Sequence, residues 1–461
     1  MTPTTSADTK VGLHLPAAVD VLHELATYIA IPSVSRDADP ATMREAAQWL
    51  CDRLTWANAH LVETAGNPIV RADWLGAPGA PTILVYGHYD VQPAGPLEEW
   101  DAPPFIMTRT DDIVRGRGVT DDKGPVFLVL KLAQAFIEQE GALPLNVKFL
   151  IEGEEEIGSP HLADFVRAHA DDLAADLVIS ADGAMWRPSE PSVSLASKGM
   201  AMMSVIVEGP SMDLHSGRFG GTVANPAIEL ARLLATLHDD DGRVAVPGFY
   251  EGVWPLTDRR RAEIAAVDFD DETFRAQIGA PALAGETGMT TLERLWERPT
   301  LEVNGIEAGG KYTVIPHKAV AHLSCRLVHD QDPQRVLGAI TDHLCRHATS
   351  AVTVTVAPDP GGVAAYRVSP DDPSILAAVA ALAEVYPGQE VLRAVIAGTL
   401  PATRLFEDTL GIKTLFFSFS TADENLHAPN EFMRISRIDE GMRAWEALWR
   451  RLATTLPRRT A

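Results

Sequence analysis

The chain is poor in cysteine, in long apolar runs and in positive charge. Its three cysteines, Cys51, Cys325 and Cys345, form no C-x-x-C pair, which excludes a disulfide framework or a thiolate zinc site and fits reduced thiols in the cytoplasm. No stretch of about eighteen uncharged apolar residues occurs, so no transmembrane helix is expected. The amino-terminal MTPTTSADTKVGLHL has no basic region followed by an apolar one, so a secretory signal is not expected and a cytoplasmic location is. With 39 Lys and Arg against 63 Asp and Glu, the net charge is −24, which argues against nucleic acid or an anionic membrane as partner. A G-x-S-x-G elbow and a Cys–His signature are also missing, which leaves activated water as the natural nucleophile of any hydrolysis.

What is present is an ordinary globular composition, 46% hydrophobic and 22% charged, over a length that suggests two or three domains. Short apolar strands alternate with helical patterns, which predicts α/β layering. Four strand-like segments stand out: Thr82–Tyr86, Leu145–Ile151, Asp176–Ser180 and Lys413–Phe419. Helices are expected over Gly124–Glu140, Pro40–Trp56 and Asp439–Thr454. Between about Lys198 and Val368 the pattern changes to alternating strands, broken by a charged, irregular stretch at Asp239–Glu302. The expected organisation is a catalytic domain formed by residues 1–198 and 369–461, with an α+β domain, 199–368, inserted into it.

A polar cluster follows each of the four strands: GHYD at Gly87–Asp90, the run EGEEEIG, ADG at Ala181–Gly183, and the segment carrying His427. Ligands of open α/β sheets gather beyond the carboxyl ends of the strands. A fifth cluster, Thr120–Lys123, precedes the helix at Gly124, where a helix dipole favours an anion. Taken singly, each has a plainer reading: Asp121 and Asp122 as helix caps, Asp182-Gly183 as a turn, the glutamates as a solvated face. Taken together, two histidines and three carboxylates suit one or two divalent cations, zinc first and manganese or cobalt next.

GHYDVQP, Trp100 with PPF, GRGVTDDKGP, EGEEEIGS, DLHSGRFGG, VIPHKAVAHLSCRLV and HAPNE occur in that order. Together they resemble the dinuclear-metal dipeptidase and deacylase superfamily, which includes carnosine and cytosolic non-specific dipeptidases, acetylornithine deacetylase, succinyl-diaminopimelate desuccinylase and glutamate carboxypeptidase. GHYDVQP, TDDKGP and DLHSG resemble its dipeptidase branch most. The resemblance implies a mixed-sheet, zinc-peptidase-like catalytic domain with an inserted α+β lid that also makes a homodimer.

It further implies His88, Asp121 and Asp182 as ligands of one metal, with Asp121 bridging to a second metal held by Glu156 and His427. Glu155 would be the general base acting on metal-bridged water, and Asp90 would orient the His88 ring. Periodicity alone leaves open which glutamate does what; the family's E-E-x-G pattern places the base at Glu155 and the ligand at Glu156. The Asp121–Asp122 peptide would be cis. His215 would reach a neighbouring subunit's site and stabilise the oxyanion, and Arg326 would hold the substrate carboxylate. Thr313, in a KYTVIP strand, and Thr399 would line the substrate end together with His427. Ala397-Gly398-Thr399-Leu400-Pro401 departs from the G-G-S-I-P of dipeptidases, which leaves side-chain preference open.

The implied reaction is metal-dependent hydrolysis of a peptide bond in dipeptides or short peptides with a free carboxyl-terminal carboxylate. The alternatives are an N-acyl-amino-acid deacylase and a catalytically silent metal- or peptide-binding protein. Filled ligand and base positions argue against the last.

Overall fold

The computed structural model describes residues 12–310, 312–359, 362–396 and 398–458; the amino-terminal stretch up to residue 11 and Ala397 lie outside them. The chain divides into two compact units, one of Met1–Leu195, Val368–Arg393 and Leu405–Ala461, the other of Ala196–Arg367 and Ala394–Arg404. Thr399 therefore belongs to the second unit.

In the first unit, four parallel strands form the centre of a mixed sheet: Asn146–Glu152, Thr82–His88, Leu177–Ser180 and Thr414–Phe416, side by side in that order. Ile69–Trp74 and then His60–Val62 extend it antiparallel on one side, and Ser192–Ser197 pairs antiparallel with Thr414–Phe416 on the other. Parallel strands are covered on both faces, so these read as near-continuous apolar runs: Ile83, Leu84, Val147, Phe149, Leu177, Val178 and Leu415 are all buried. One covering helix, Lys123–Glu140, buries the ring of Phe136 stacked on Trp449 of the last helix, Ser436–Thr455, with centroids 6.0 Å apart. Like charge and apolar content, cap chemistry sets the boundaries. Helices at Pro40, Pro226, Pro333 and Pro373 each start with proline in the first turn behind an Asp or Asn whose side chain accepts the freed N–H groups. The helix predicted over Pro40–Trp56 ends at Cys51, and a 3₁₀ turn, Thr55–Ala57, follows it.

The second unit is an antiparallel sheet ordered Thr300–Ala308, Lys318–Leu327, Gly199–Glu208, Thr353–Pro358. Strict alternation buries Ala201, Met203, Val205 and Val207 with Ala319, Ala321, Leu323, Cys325 and Leu327 on one face. Leu230, Leu233, Val336, Ile340 and Leu344, from the helices Pro226–Ala235 and Pro333–His347, close that core. The stretch predicted to be irregular, Asp239–Glu302, instead contains three short helices, Asp258–Ala265, Asp271–Gln277 and Thr291–Glu297, capped by Thr257, Asp270 and Thr290, and the start of the strand Thr300–Ala308. Thr313 lies in a bend just before the two-residue strand Val314–Ile315, not within a strand as read from KYTVIP. No described helix is long and apolar enough to cross a membrane.

Candidate metal centre and substrate-binding residues

Three of the four central strands of the first unit deliver a polar group at or just beyond their carboxyl ends, and His427 lies further along the chain after Thr414–Phe416. His88 is the last residue of Thr82–His88 and is wholly buried. Its Nδ1 lies 3.0 Å from the Asp90 carbonyl oxygen, which can only accept, so Nδ1 carries the proton. The other ring nitrogen, Nε2, faces Asp121 Oδ1 at 3.2 Å. Gly87 is required here, because a Cβ at that position would lie 2.6 Å from an Asp122 oxygen and 2.4 Å from Val126. Without it, Asp122 Oδ2 could not accept the His88 N–H at 3.1 Å. Asp122 makes no side-chain cap on the helix it precedes, so its reading as a helix cap is set aside, and its Oδ1 is buried with no partner. The Asp121–Asp122 peptide is cis.

Asp121 stands between the two histidines, with Oδ2 2.9 Å from Nε2 of His427. The same His427 nitrogen is 3.2 Å from Glu156 Oε2. Ligand atoms of His88, Asp121 and Asp182 lie within 4.8 Å of one another, as do those of Asp121, Glu156 and His427, so the two groups share Asp121. Asp182 follows the strand Leu177–Ser180; its carboxyl is pushed up to about 6 by burial and by Asp121 and Glu156 nearby. Burial and Asp182 raise Glu155 well above the ordinary carboxylate range. His427 is pushed up to about 10 by its contacts with Asp121 and Glu156. These shifts share one cause: carboxylates crowd a low-dielectric pocket with too little positive charge. Two imidazole nitrogens with three carboxylates, arranged as two groups about one shared carboxylate, fit two divalent cations.

The run EGEEEIG resolves into separate environments. Glu155–Ile157 form a 3₁₀ turn closed by Gly158 at φ +85°, a left-handed conformation natural to glycine. Asp90 accepts the N–H of Glu155 at 3.2 Å and of Glu156 at 3.1 Å while its Oδ1 lies 3.4 Å from His88 Nδ1. Gln92 donates to both Glu156 oxygens, from its backbone at 3.1 Å and its side chain at 2.9 Å. Glu152 and Glu154 do not form a solvated face: both are buried and bonded. Tyr86 and Ser159 donate to Glu152 at 2.7 and 2.9 Å, and Glu154 pairs with His161 at 2.7 Å.

Two buried carboxylates went unassigned in the sequence. Glu431 accepts the backbone N–H groups of Gly118 at 3.0 Å, Thr120 at 3.1 Å and Asp121 at 3.3 Å, and takes Arg117 at 2.7 Å. Glu424 accepts the Thr120 hydroxyl, the Thr421 N–H at 3.1 Å and Arg434 at 3.1 Å. Glu431 ends the HAPNE motif, and that motif was the only signal available for it.

The second unit brings the remaining residues together in two pairs. Leu214–His215 pairs with Val314–Ile315, and the N–H of Ser216 donates to the Thr313 carbonyl at 2.9 Å, so His215 and Thr313 are neighbours. His215 is exposed, and its Nδ1 accepts the Gly217 N–H at 3.1 Å. Arg326 donates from Nη1 to the Thr399 hydroxyl at 2.9 Å.

Comparison with known proteins agrees with this construction. The family model for peptidase family M20/M25/M40 matches residues 84–451. A Cys-Gly metallodipeptidase of Candida albicans is 32% identical over 91% of this chain and 92% of its own. The human Beta-Ala-His dipeptidase is 30% identical over 84% and 78% respectively. Among solved structures, the M20 family metallo-carboxypeptidase Sso-CP2 from Sulfolobus solfataricus superposes with a TM-score of 0.81 at 31% identity, covering 94% of this chain and 99% of that one. The chain belongs to peptidase family M20/M25/M40 and is a metallopeptidase.

Proposed function

We propose that this enzyme hydrolyses the peptide bond of dipeptides and short peptides that carry a free carboxyl-terminal carboxylate. The observation that carries the reading is Asp121, whose two oxygens face His88 at 3.2 Å and His427 at 2.9 Å, one carboxylate between two ligand groups. His88, Asp121 and Asp182 would hold one ion, and Asp121, Glu156 and His427 the other. Zinc suits this mixed nitrogen and oxygen set best, with manganese or cobalt as substitutes. Two such ions, when bound, supply Lewis-acid polarisation and a nucleophilic water at neutral pH. Glu155 takes the proton from the attacking water and delivers it to the departing amine nitrogen. Asp90 fixes the His88 tautomer and, through the backbone, the position of Glu155. Arg326, steadied by Thr399, offers its planar fork to the substrate carboxylate. His215 donates to the developing oxyanion of a substrate in a neighbouring subunit, and Thr313 and Thr399 line the substrate end.

A homodimer formed through the second unit is part of the proposal; exposed apolar side chains there, including Met212, Ile228, Ile306 and Tyr312, support it. A cytoplasmic location is supported by the three unpaired thiols, Cys51, Cys325 and Cys345. The dipeptidase reading is favoured over the N-acyl deacylase by relatives that act on Cys-Gly and β-Ala-His. The test is a panel of dipeptides and tripeptides run beside N-acetyl and N-succinyl amino acids. Cleavage of the peptides is expected; activity confined to the acylated amino acids would sink the proposal.

A further inference from the structure

The second unit contains a cavity of about 760 Å³ beside the edge strand Thr300–Ala308, a size that suits a small organic ligand. Phe274, Ile278, Leu283 and Leu295 give it apolar walls. Its charged groups are not equivalent. Arg298 also lines it, but Glu286 takes that guanidinium in a fork at 2.7 and 2.9 Å. Lys198 and Arg326 form no ion pair within 4 Å among the described residues. Lys198 donates to the Arg298 carbonyl at 2.8 Å and feels the charge of Glu297, whose carboxylate is taken by Arg260 and Arg367. Arg326 donates to the Thr399 hydroxyl, and Glu302 and Arg294 also line the cavity. Lys198 is only 4% exposed, and burial together with the nearby Arg326 pulls its amine down to about 8. Two cations side by side in a poorly solvated wall repel each other, and an anion placed between them offsets the desolvation of both. The rest of the cavity offers apolar surface, so the complementary ligand has one anionic end and one bulky apolar end.

We infer that this cavity binds a carboxylate carrying a bulky apolar body, with the carboxylate on Arg326 and Lys198 and the body among Phe274, Ile278, Leu283 and Leu295. On the proposed function, on which this step rests, the body is the side chain of the substrate's carboxyl-terminal residue. The enzyme then prefers peptides ending in phenylalanine or leucine over those ending in glycine. Burying such a side chain raises affinity by at least ~10-fold over glycine.

The test is calorimetric titration of the metal-loaded, full-length enzyme with L-phenylalanine and with glycine, the free carboxyl-terminal products. Phenylalanine should bind at least ~10-fold more tightly. Ala284→Trp, which fills the cavity from an exposed loop position, and Phe274→Ala, which removes a wall, should each shrink that preference while leaving glycine affinity unchanged. Equal affinity for the two amino acids, no binding of either, or a preference that survives both substitutions overturns the inference. The peptide panel reads separately: if no peptide is cleaved but the calorimetric preference holds, the proposed activity fails and the cavity assignment stands.

Discussion

His427 Nε2 lies 2.9 Å from Asp121 Oδ2, although the two residues are 306 apart in sequence. The contact closes a second ligand group on a carboxylate that already faces His88, so one side chain governs both proposed metal positions. Asp121→Asn should therefore lower bound metal from two ions per chain to fewer than one, and turnover by about 10²-fold or more. Elemental analysis of the purified variant checks this. Two ions retained at wild-type affinity would show that Asp121 is not shared.

Glu431 organises the loop that presents Asp121 without touching a metal position itself. Four of its contacts are to the Arg117–Asp121 segment, three of them to backbone N–H groups. Glu431→Gln keeps the shape but replaces two acceptors with an amide that cannot accept as many N–H bonds. Metal affinity is expected to fall ~10–100-fold, as for other groups that orient ligands, while the circular dichroism of the folded chain stays unchanged. Competition against a chelator of known affinity measures it, and an unaltered affinity would leave Glu431 a purely structural residue.

Trp449 is fully buried, stacked on Phe136 and set edge-on to Trp445 at 6.2 Å, where the last helix meets the one that starts beside Asp121. Trp449→Ala should cost ~3–5 kcal/mol of stability by cavity formation. Denaturant unfolding of the metal-free protein reads this without the contribution of bound ions. A loss below ~1 kcal/mol would mean that the site collapses around the gap.

The ends of the parallel strands were legible in sequence because polar clusters interrupt apolar runs at His88, Asp182 and the glutamate run, a pattern a buried sheet does not otherwise tolerate. The roles within EGEEEIG were not legible from alternation, since Glu155–Ile157 form a 3₁₀ turn and strand periodicity does not apply to them. Asp90 grips the N–H groups of both Glu155 and Glu156; what separates them is Gln92, which holds only the Glu156 carboxylate. Glu431 had only the HAPNE motif as a signal, because a carboxylate that binds backbone N–H groups some 310 residues away leaves no local pattern, and Glu424, whose distant partner is the Thr120 hydroxyl, had none. The helices within Asp239–Glu302 did leave a signal, the Thr290–Glu293 capping box, but charge-rich segments of seven or eight residues lack the apolar stripe that identifies longer helices.

The most direct test of the proposed chemistry is the turnover of Glu155→Gln on a cleavable dipeptide at matched metal content. Glutamine fills the same space and cannot relay a proton, so the predicted result is a fall of ~10²–10⁴-fold with both ions still bound. Turnover within about twofold of the wild type, at full metal occupancy, would contradict the assignment of Glu155 as the base.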